Sequence, residues 1–549
     1  MVIRRRIVLV ILGLFLATGL PLAAQTGQIT LLHVSDTHSH LAAWGPKDGN
    51  LDGTLGGIAK AAFLVAAEKA ADPNALFVHA GDLMEGDFFF NEYLGVAELQ
   101  LLKSIGLDAF VLGNHEFRFG PEFLAEVLQA AWTVPAAGVP ILGTNLQIPT
   151  NSALLPWISS ILTKDVNGVR VGFFGLSTKG APANPAPVVV QKNVCPFSQA
   201  AVNQLRGEGA QLVVCLYHGG VSAARALAAC VSGIDVIVNG HDHAVLPQPE
   251  AVARLGGGTT LIVSAGSWYR RVGRLRLSVE GGAVSLLDYS LLSADADTPS
   301  LPAVQATVDG LKAGIIAKYG DVYHQPLAWA DQDITLEWNP HNAKRDTPLG
   351  NLLTDAYRAR TGTDIALEPF AYIGDPLPKG PIVGADVFRS MSYGNLAVDP
   401  LDPERQIVWP WRLVTFRATG SVLIGVLEML LSLPPDPYFP QVSGMRFDYN
   451  SSFPPSHRIL LDTVHVNGHP FVADQLYSVT VTEGIFAALG LPVEAETLSD
   501  LAFDAVRSLV TLRGELGPAA SGRIRDVAAI AANREAKGLT LARAGAPMR

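Results

Sequence analysis

The chain has 549 residues, 49% hydrophobic and 16% charged. It is too long for one compact core and too apolar for a disordered protein, so two domains are expected. A formal net charge of −10 argues against a general electrostatic footprint for a nucleic-acid duplex, which would need clustered Lys and Arg. It leaves room for a small anionic ligand, because bound cations invert the local field.

Residues 1–24 begin Met-Val-Ile-Arg-Arg-Arg, continue through an apolar run from Ile7 to Leu20, and end Pro21-Leu22-Ala23-Ala24. That is the layout of a cleavable export signal; an N-terminal anchor is the alternative, since the run approaches spanning length. No later apolar run is long enough to span a bilayer. The mature protein is therefore expected in the periplasm or secreted, without stable membrane insertion.

From Gln28 onward short apolar runs alternate with Ala-rich helical stretches. Strands are predicted at Ile29–Val34, Ala75–His79, Ala109–Leu112, Val169–Leu176, Leu212–Tyr217, Val236–Val238 and Thr260–Ser264. Helices are predicted at Gly57–Ala70, Gly95–Ser104 and Pro121–Ala130, with a closing strand pair at Leu275–Leu292. This alternation predicts a layered α/β domain over 28–298, with the residues for chemistry at strand ends. A connecting helix is expected over 299–323, opened by Pro302. From His324 the composition shifts toward Trp, Pro and Arg, and a smaller α+β domain is expected over 324–528, including a helix from Thr347 through Tyr357. Residues 529–549 read as a tail. Cys215 lies in an apolar run and reads as a small buried hydrophobe. A Cys195–Cys230 bridge is conceivable, and the sequence leaves it open.

Five short motifs each follow an apolar run in the first half: Ser35-Asp36-Thr37-His38, Ala80-Gly81-Asp82, Gly113-Asn114-His115-Glu116, Tyr217-His218-Gly219 and Gly240-His241-Asp242-His243. Each sets oxygen or imidazole donors on the loop leaving a strand. Asp36 and His38 are alternate residues and can aim at one ion, while Gly81, Gly113 and Gly240 let the backbone come close. A carboxylate can bridge two ions as neutral imidazoles complete their coordination. His33 and His79 lie inside strand-like runs and read as core histidines; His40 reads as a rim residue. Asp242 and Glu116 read as groups supporting the ligands.

Taken together, the motifs D-x-H, G-D, G-N-H-E, H and G-H-x-H resemble the calcineurin-like metallophosphoesterase superfamily. The resemblance covers roughly Ile29 to Leu292. It implies a four-layer α-β-β-α domain and two divalent ions (Zn, Mn, Fe or Co). Asp36, His38 and His243 would hold the first ion with Asp82; Asn114, His218 and His241 would hold the second, again with Asp82. His115 would act on the transferring phosphoryl or the leaving group, with Asn114 beside it in the catalytic set. One departure stands out. Exported 5′-nucleotidases carry an Asp where this chain has Arg118, so the carboxylate that would orient His115 is missing from this run. Arg118 could contact a substrate phosphate or sit on the surface.

The second half resembles the substrate-binding domain of the same family, through Arg345–Ala356, Asp386–Asn395, Leu413–Gly420 and Phe439–Tyr449. The resemblance implies a nucleobase held between two rings, at Phe439 and Phe486 here. The family's Gly-rich, Arg-bearing loop is replaced by Glu368–Pro376, and 399–405 is an insertion ahead of Trp409-Pro410-Trp411-Arg412. The specificity pocket is thus expected to be rebuilt around Trp409, Trp411, Arg412 or Arg446. The resemblance implies hydrolysis of a small phosphate ester, a nucleotide or nucleotide-like monoester. Alternatives within the class are a 2′,3′-cyclic nucleotide phosphodiesterase, a nucleotide-sugar pyrophosphatase and, more remotely, a hydrolase of sulfur conjugates. The alternative from another class is a metal-binding periplasmic binding protein with little turnover.

Overall fold

The computed structural model describes residues 26–178, 180, 184–336, 345–391, 411–432, 438–517 and 522–528. Residues 1–24, where an export signal is expected, residues 529–549, the 399–405 region and Trp409 lie outside these. Among the described residues, no helix is long and apolar enough to cross a membrane.

In the first half the apolar runs become strands because both of their faces are covered. Seven strands form one sheet, in the order Ala283–Ser293, Arg271–Glu280, Thr26–Val34, Leu76–His79, Ala109–Val111, Ile141–Leu142 and Ile158–Ser159. Six form a second, in the order Glu250–Ala253, Thr259–Val263, Val236–Asn239, Leu212–Tyr217, Val169–Leu176 and Ile161–Val166. The central strands of both sheets run parallel, so their C-terminal ends open on the same side. Leu31, Val78, Val111, Val171, Val214 and Val238 belong to the apolar layer between the sheets. Helices cover the outer faces, Ile58–Ala71 and Gly120–Trp132 on the first sheet and Val194–Gly207 and Val221–Cys230 on the second. The result is the expected four-layer α-β-β-α arrangement. The bridge left open by the sequence is present: Cys195 and Cys230 are joined, with Cα atoms 6.0 Å apart, and Cys215 is free and buried.

The helix Pro302–Tyr319 leads into the second half. There a five-stranded sheet runs Pro440–Ser443, Ile365–Pro369, Leu476–Thr482, Arg412–Thr419 and Ala495–Leu501. Thr347 caps the helix Pro348–Thr361, its hydroxyl accepting from the Gly350 amide, a contact that satisfies one orphan N–H. The two halves share apolar material. Phe88, on the short helix Phe88–Tyr93, packs on Phe388 with ring centroids 4.4 Å apart and meets Phe503 edge-on. Two ion pairs and a hydrogen bond cross the same boundary: Lys47 to Asp386 at 2.7 Å, Arg389 to Asp87 at 2.5 Å, and His40 to Asp375 at 2.5 Å.

Candidate metal centre

The first donor loop runs alongside the second. The amides of Asp36, His38 and Ser39 donate to the carbonyls of Gly81, Asp82 and Leu83. This pairing helps hold Asp36, His38 and Asp82 at positive φ, 51°, 46° and 55°; His241, whose amide bonds Asp36 Oδ1, and His243 also have positive φ, 91° and 52°. Each such non-glycine residue costs on the order of 1–3 kcal/mol and persists only where the surroundings enforce it. Glu116 is one enforcer. Buried, it accepts from the amides of Asp82, Leu83, Met84 and Gly113. One carboxylate thereby locks the Asp82 loop to the Asn114 loop.

Donor atoms converge in three overlapping groups: Asp36, His38 and His243; His38, Asp82 and His115; Asp82, His218 and His241. Asp82 Oδ2 lies 2.9 Å from His218 Nε2, 3.9 Å from His38 Nε2 and 4.0 Å from His115 Nε2. Asn114 Oδ1 lies 3.2 Å from His218 Nε2, and His38 Nε2 lies 3.1 Å from His243 Nε2. All seven residues assigned as ligands from the sequence are therefore brought together, with Asp82 between the two sets. His115, His241 and His243 are only partly buried, so the centre opens on their side.

The atoms around this cluster fit a cation. Asp36 Oδ1 accepts from the His241 amide at 2.8 Å, while its buried Oδ2 has no hydrogen-bond partner. Burial pushes this carboxyl up to about 7, as expected of an acid short of countercharge. His38 Nδ1 meets the Glu85 carbonyl at 3.0 Å and His218 Nδ1 meets the Ala80 carbonyl at 2.7 Å. Both rings must donate through Nδ1, which turns each Nε2 toward the cluster. Burial opposes a charge on His218, but the Asp82 carboxylate 2.9 Å away outweighs it and raises its pKa to about 10, so this ring would give up its Nε2 proton on taking an ion. Burial lowers the pKa of His38 well below its usual value, that of His243 to about 3 and that of His241 to about 4, so these imidazoles are neutral, as metal ligation requires.

Glycines provide the close approach at two positions. A Cβ on Gly113 would lie 2.1 Å from Asp82 Oδ1, and one on Gly81 would lie 2.6 Å from His218 Nδ1.

The supporting residues divide into expected and unexpected. His33 is buried and stacked beside Tyr289, and His79 bonds Thr37 Oγ1 at 2.9 Å; both are core histidines. Asp242 accepts from the Val221 amide and Asn239 Nδ2, organising its own loop. His40 is not at the rim. It is 0% exposed, because its Nδ1 donates to the His38 carbonyl and its Nε2 meets Asp375 from the second half. Asp375 sits on the segment that replaces the expected Arg-bearing loop, so part of that segment serves to join the halves.

Arg118 is partly buried: its Nε lies 3.6 Å from Glu85 Oε1 and its guanidinium 5.8 Å from the centre of the Trp411 ring. Tyr372 packs on the same Trp411, with ring centroids 5.0 Å apart. Arg412 is taken up by Glu483 at 2.7 Å, and Arg446 is exposed. Phe439 is 3% exposed, packed near Tyr449, while Phe486 is half-buried beside Phe416. A residue that the sequence did not single out is Glu85: fully buried, its Oε2 lies 2.6 Å from His115 Nδ1. Burial opposes a charge on His115, but Asp82 and Glu85 outweigh it and raise its pKa. The one available signal was position, three residues past Asp82.

Comparison with known proteins agrees with this geometry. Residues 29–245 match the calcineurin-like phosphoesterase family and residues 331–492 the 5′-nucleotidase C-terminal domain. The chain is 24% identical over 546 residues to the trifunctional nucleotide phosphoesterase YfkN of Bacillus subtilis, covering 91% of this chain but spanning only 35% of that protein's length. It is 25% identical to a 5′-nucleotidase of Diplobatis ommata, covering 79% of this chain and 76% of that one. Its fold matches the crystal structure of a 5′-nucleotidase precursor from Thermus thermophilus with a TM-score of 0.76 at 26% identity, covering 90% and 99% of the two chains. With a phosphoesterase domain, a 5′-nucleotidase C-terminal domain and a clustered Asp–His–Asn donor set, the chain belongs to the 5′-nucleotidase family of metal-dependent phosphoester hydrolases.

Proposed function

We propose that the protein is an exported hydrolase of nucleotides or nucleotide-like phosphate esters, periplasmic or secreted, that works with two divalent ions. Asp36, His38, Asp82 and His243 would hold one ion, and Asp82, Asn114, His218 and His241 the other. The observation that carries this reading is the convergence of donors from five strand-end loops around Asp82. Such ions, when bound, neutralise phosphate charge and supply a nucleophilic water at neutral pH. Zn, Mn, Fe and Co all suit these donors.

The chain's own groups do the rest. Asn114 offers its amide oxygen between His218 and the cleft. His115, with Nδ1 engaged by Glu85, turns Nε2 toward the Asp82 side and can hydrogen-bond the transferring phosphoryl or the leaving oxygen. Arg118 offers a charged donor to substrate oxygens next to an aromatic wall of Trp411 and Tyr372. Base stacking falls first on Phe486, which keeps an open face; Phe439 has little surface left to present. The rebuilt segment bearing Asp375 is the observation that favours a second reading, a 2′,3′-cyclic nucleotide phosphodiesterase or nucleotide-sugar pyrophosphatase. The name of the Bacillus relative, a trifunctional nucleotide phosphoesterase, points the same way.

The test compares the parent and Asp82→Asn on a nucleoside monophosphate, a cyclic nucleotide and p-nitrophenyl phosphate, with bound metal measured by elemental analysis. The variant is expected to lose about 100-fold or more in kcat and to hold less metal, and a chelator should act on the parent in the same way. Equal turnover in both proteins, or none in either with metal present, overturns the reading.

A further inference from the structure

We propose that Glu85 is the positioning residue for His115, replacing a carboxylate that has left the Gly113–Arg118 run, and that Arg118 braces Glu85 in that task. The inference rests on the reading that His115 serves the reacting phosphoryl group. Three observations carry it. Glu85 Oε2 lies 2.6 Å from His115 Nδ1, with the carboxylate fully buried. Its other oxygen faces Arg118 Nε at 3.6 Å. The backbone of Glu85 is left-handed at φ 63°, a conformation that a side chain of this size adopts only under constraint.

That backbone gives Glu85 two outputs. Its carbonyl takes the Nδ1–H of the ligand residue His38 at 3.0 Å, and its carboxylate takes the Nδ1–H of His115. The two rings then meet edge to face, 4.8 Å apart. One residue sets the tautomer of both, directing each Nε2 into the cleft.

A buried carboxylate is costly without a partner, and here a cation at position 118 shares it with His115. The charges have changed places relative to the family's run: the acid comes from the Asp82 loop and the base from the position where an acid is expected. As a water oxygen bonds to phosphorus and gives up a proton, the ester P–O bond breaks and its electron pair stays on the leaving oxygen. That oxygen takes the Nε2 proton of His115 in its imidazolium form, and the ring is left as the neutral Nδ1–H tautomer that Glu85 holds.

The experiment uses the metal-loaded full chain and two monoesters, p-nitrophenyl phosphate, whose leaving group needs little protonation, and glycerol phosphate, whose leaving group needs it. Glu85→Gln is expected to lower kcat for glycerol phosphate about 10–100-fold and for p-nitrophenyl phosphate less than about 3-fold, with KM and metal content near those of the parent. His115→Asn should show the same selectivity, and the Glu85→Gln/His115→Asn pair should lose no more than His115→Asn alone. Glu85→Gln/Arg118→Asp, which returns the acid to the run, should recover part of the kcat for glycerol phosphate lost in Glu85→Gln, at a KM raised by the loss of the Arg118 donor. Nitrogen-15 NMR of the histidine rings should show His115 protonated at Nδ1 in the parent and no longer fixed there in Glu85→Gln. Equal losses on both esters with falling metal content would make Glu85 a scaffold of the metal loop and overturn the proposal. Unchanged rates, additive losses in the pair or an unchanged ring signal would overturn it as well. A parent that hydrolyses neither ester defeats the functional reading instead, and the ring signal still reports the Glu85–His115 contact.

Discussion

Replacing Arg389 with Met puts the joint between the two halves to a quantitative test. Arg389 and Asp87 are 3% and 0% exposed in their side chains and 2.5 Å apart, and Arg389 also lies 3.6 Å from Asp386. Burial opposes the guanidinium charge, but Asp87 and Asp386 outweigh it. Removing the cation strands the Asp87 carboxylate in an apolar setting beside Phe88, a change that costs about 3–5 kcal/mol. Asp386 keeps Lys47 at 2.7 Å and is not stranded. Unfolding entropy of about 2.1 cal/mol/K per residue gives roughly 1 kcal/mol/K for a chain of this length, so the expected fall in Tm is about 3–5 °C. Differential scanning calorimetry reads it directly. Asp87→Asn in the same chain removes the stranded charge, and the double variant should recover more than half of the lost Tm. Arg389 does not touch the metal centre, so turnover of a small chromogenic ester should stay within about 3-fold of the parent at temperatures below the transition. A Tm within about 1 °C of the parent for Arg389→Met, or a double variant less stable than either single one, would refute the argument that this buried pair holds the halves together.

Gly113→Ala should empty the centre without unfolding the protein. The new Cβ would lie 2.1 Å from Asp82 Oδ1, so the carboxylate must move; metal content and activity should both fall about 10-fold or more, with secondary structure by circular dichroism unchanged. Retained metal with full activity would show that Asp82 tolerates displacement. Glu368 should make stability fall with rising pH. It is buried on the strand Ile365–Pro369, with Thr482 Oγ1 as a donor to Oε2, and burial raises its pKa from 4.5 to about 8. Its folded pKa lies above the unfolded one, so the folded state binds the extra proton. The stability it contributes is complete below about pH 4.5 and is lost as pH rises through about 8. Glu368→Gln should flatten the Tm profile between about pH 5 and 9 and be more stable than the parent by a few kcal/mol at about pH 9; parallel profiles would refute this.

The donor residues of the centre and most of the framework that presents them were legible in the sequence. The strands Val169–Leu176 and Leu212–Tyr217 lie where their apolar runs predict, because a strand buried on both faces needs a continuous hydrophobic stretch and little else. The donors were legible for a related reason: each follows directly on such a run, so local order along the chain already places it at a strand end. The sheet order of the second half was not legible, since Ile365–Pro369 pairs antiparallel with Pro440–Ser443 and parallel with Leu476–Thr482, partners chosen by packing far along the chain. What surrounds the donors depends on contacts made far along the chain. His115 and Glu85 are 30 residues apart, His40 and Asp375 are 335 apart and Arg389 and Asp87 are 302 apart, and no periodicity links any of them. Along the chain the acid expected at position 118 to orient His115 is missing and His40 reads as a rim residue, because local order shows only the run that each residue belongs to. In the folded chain, burial makes an unpaired charge or imidazole costly, and the partners that offset that cost come from whichever loops the two sheets and the second half bring alongside.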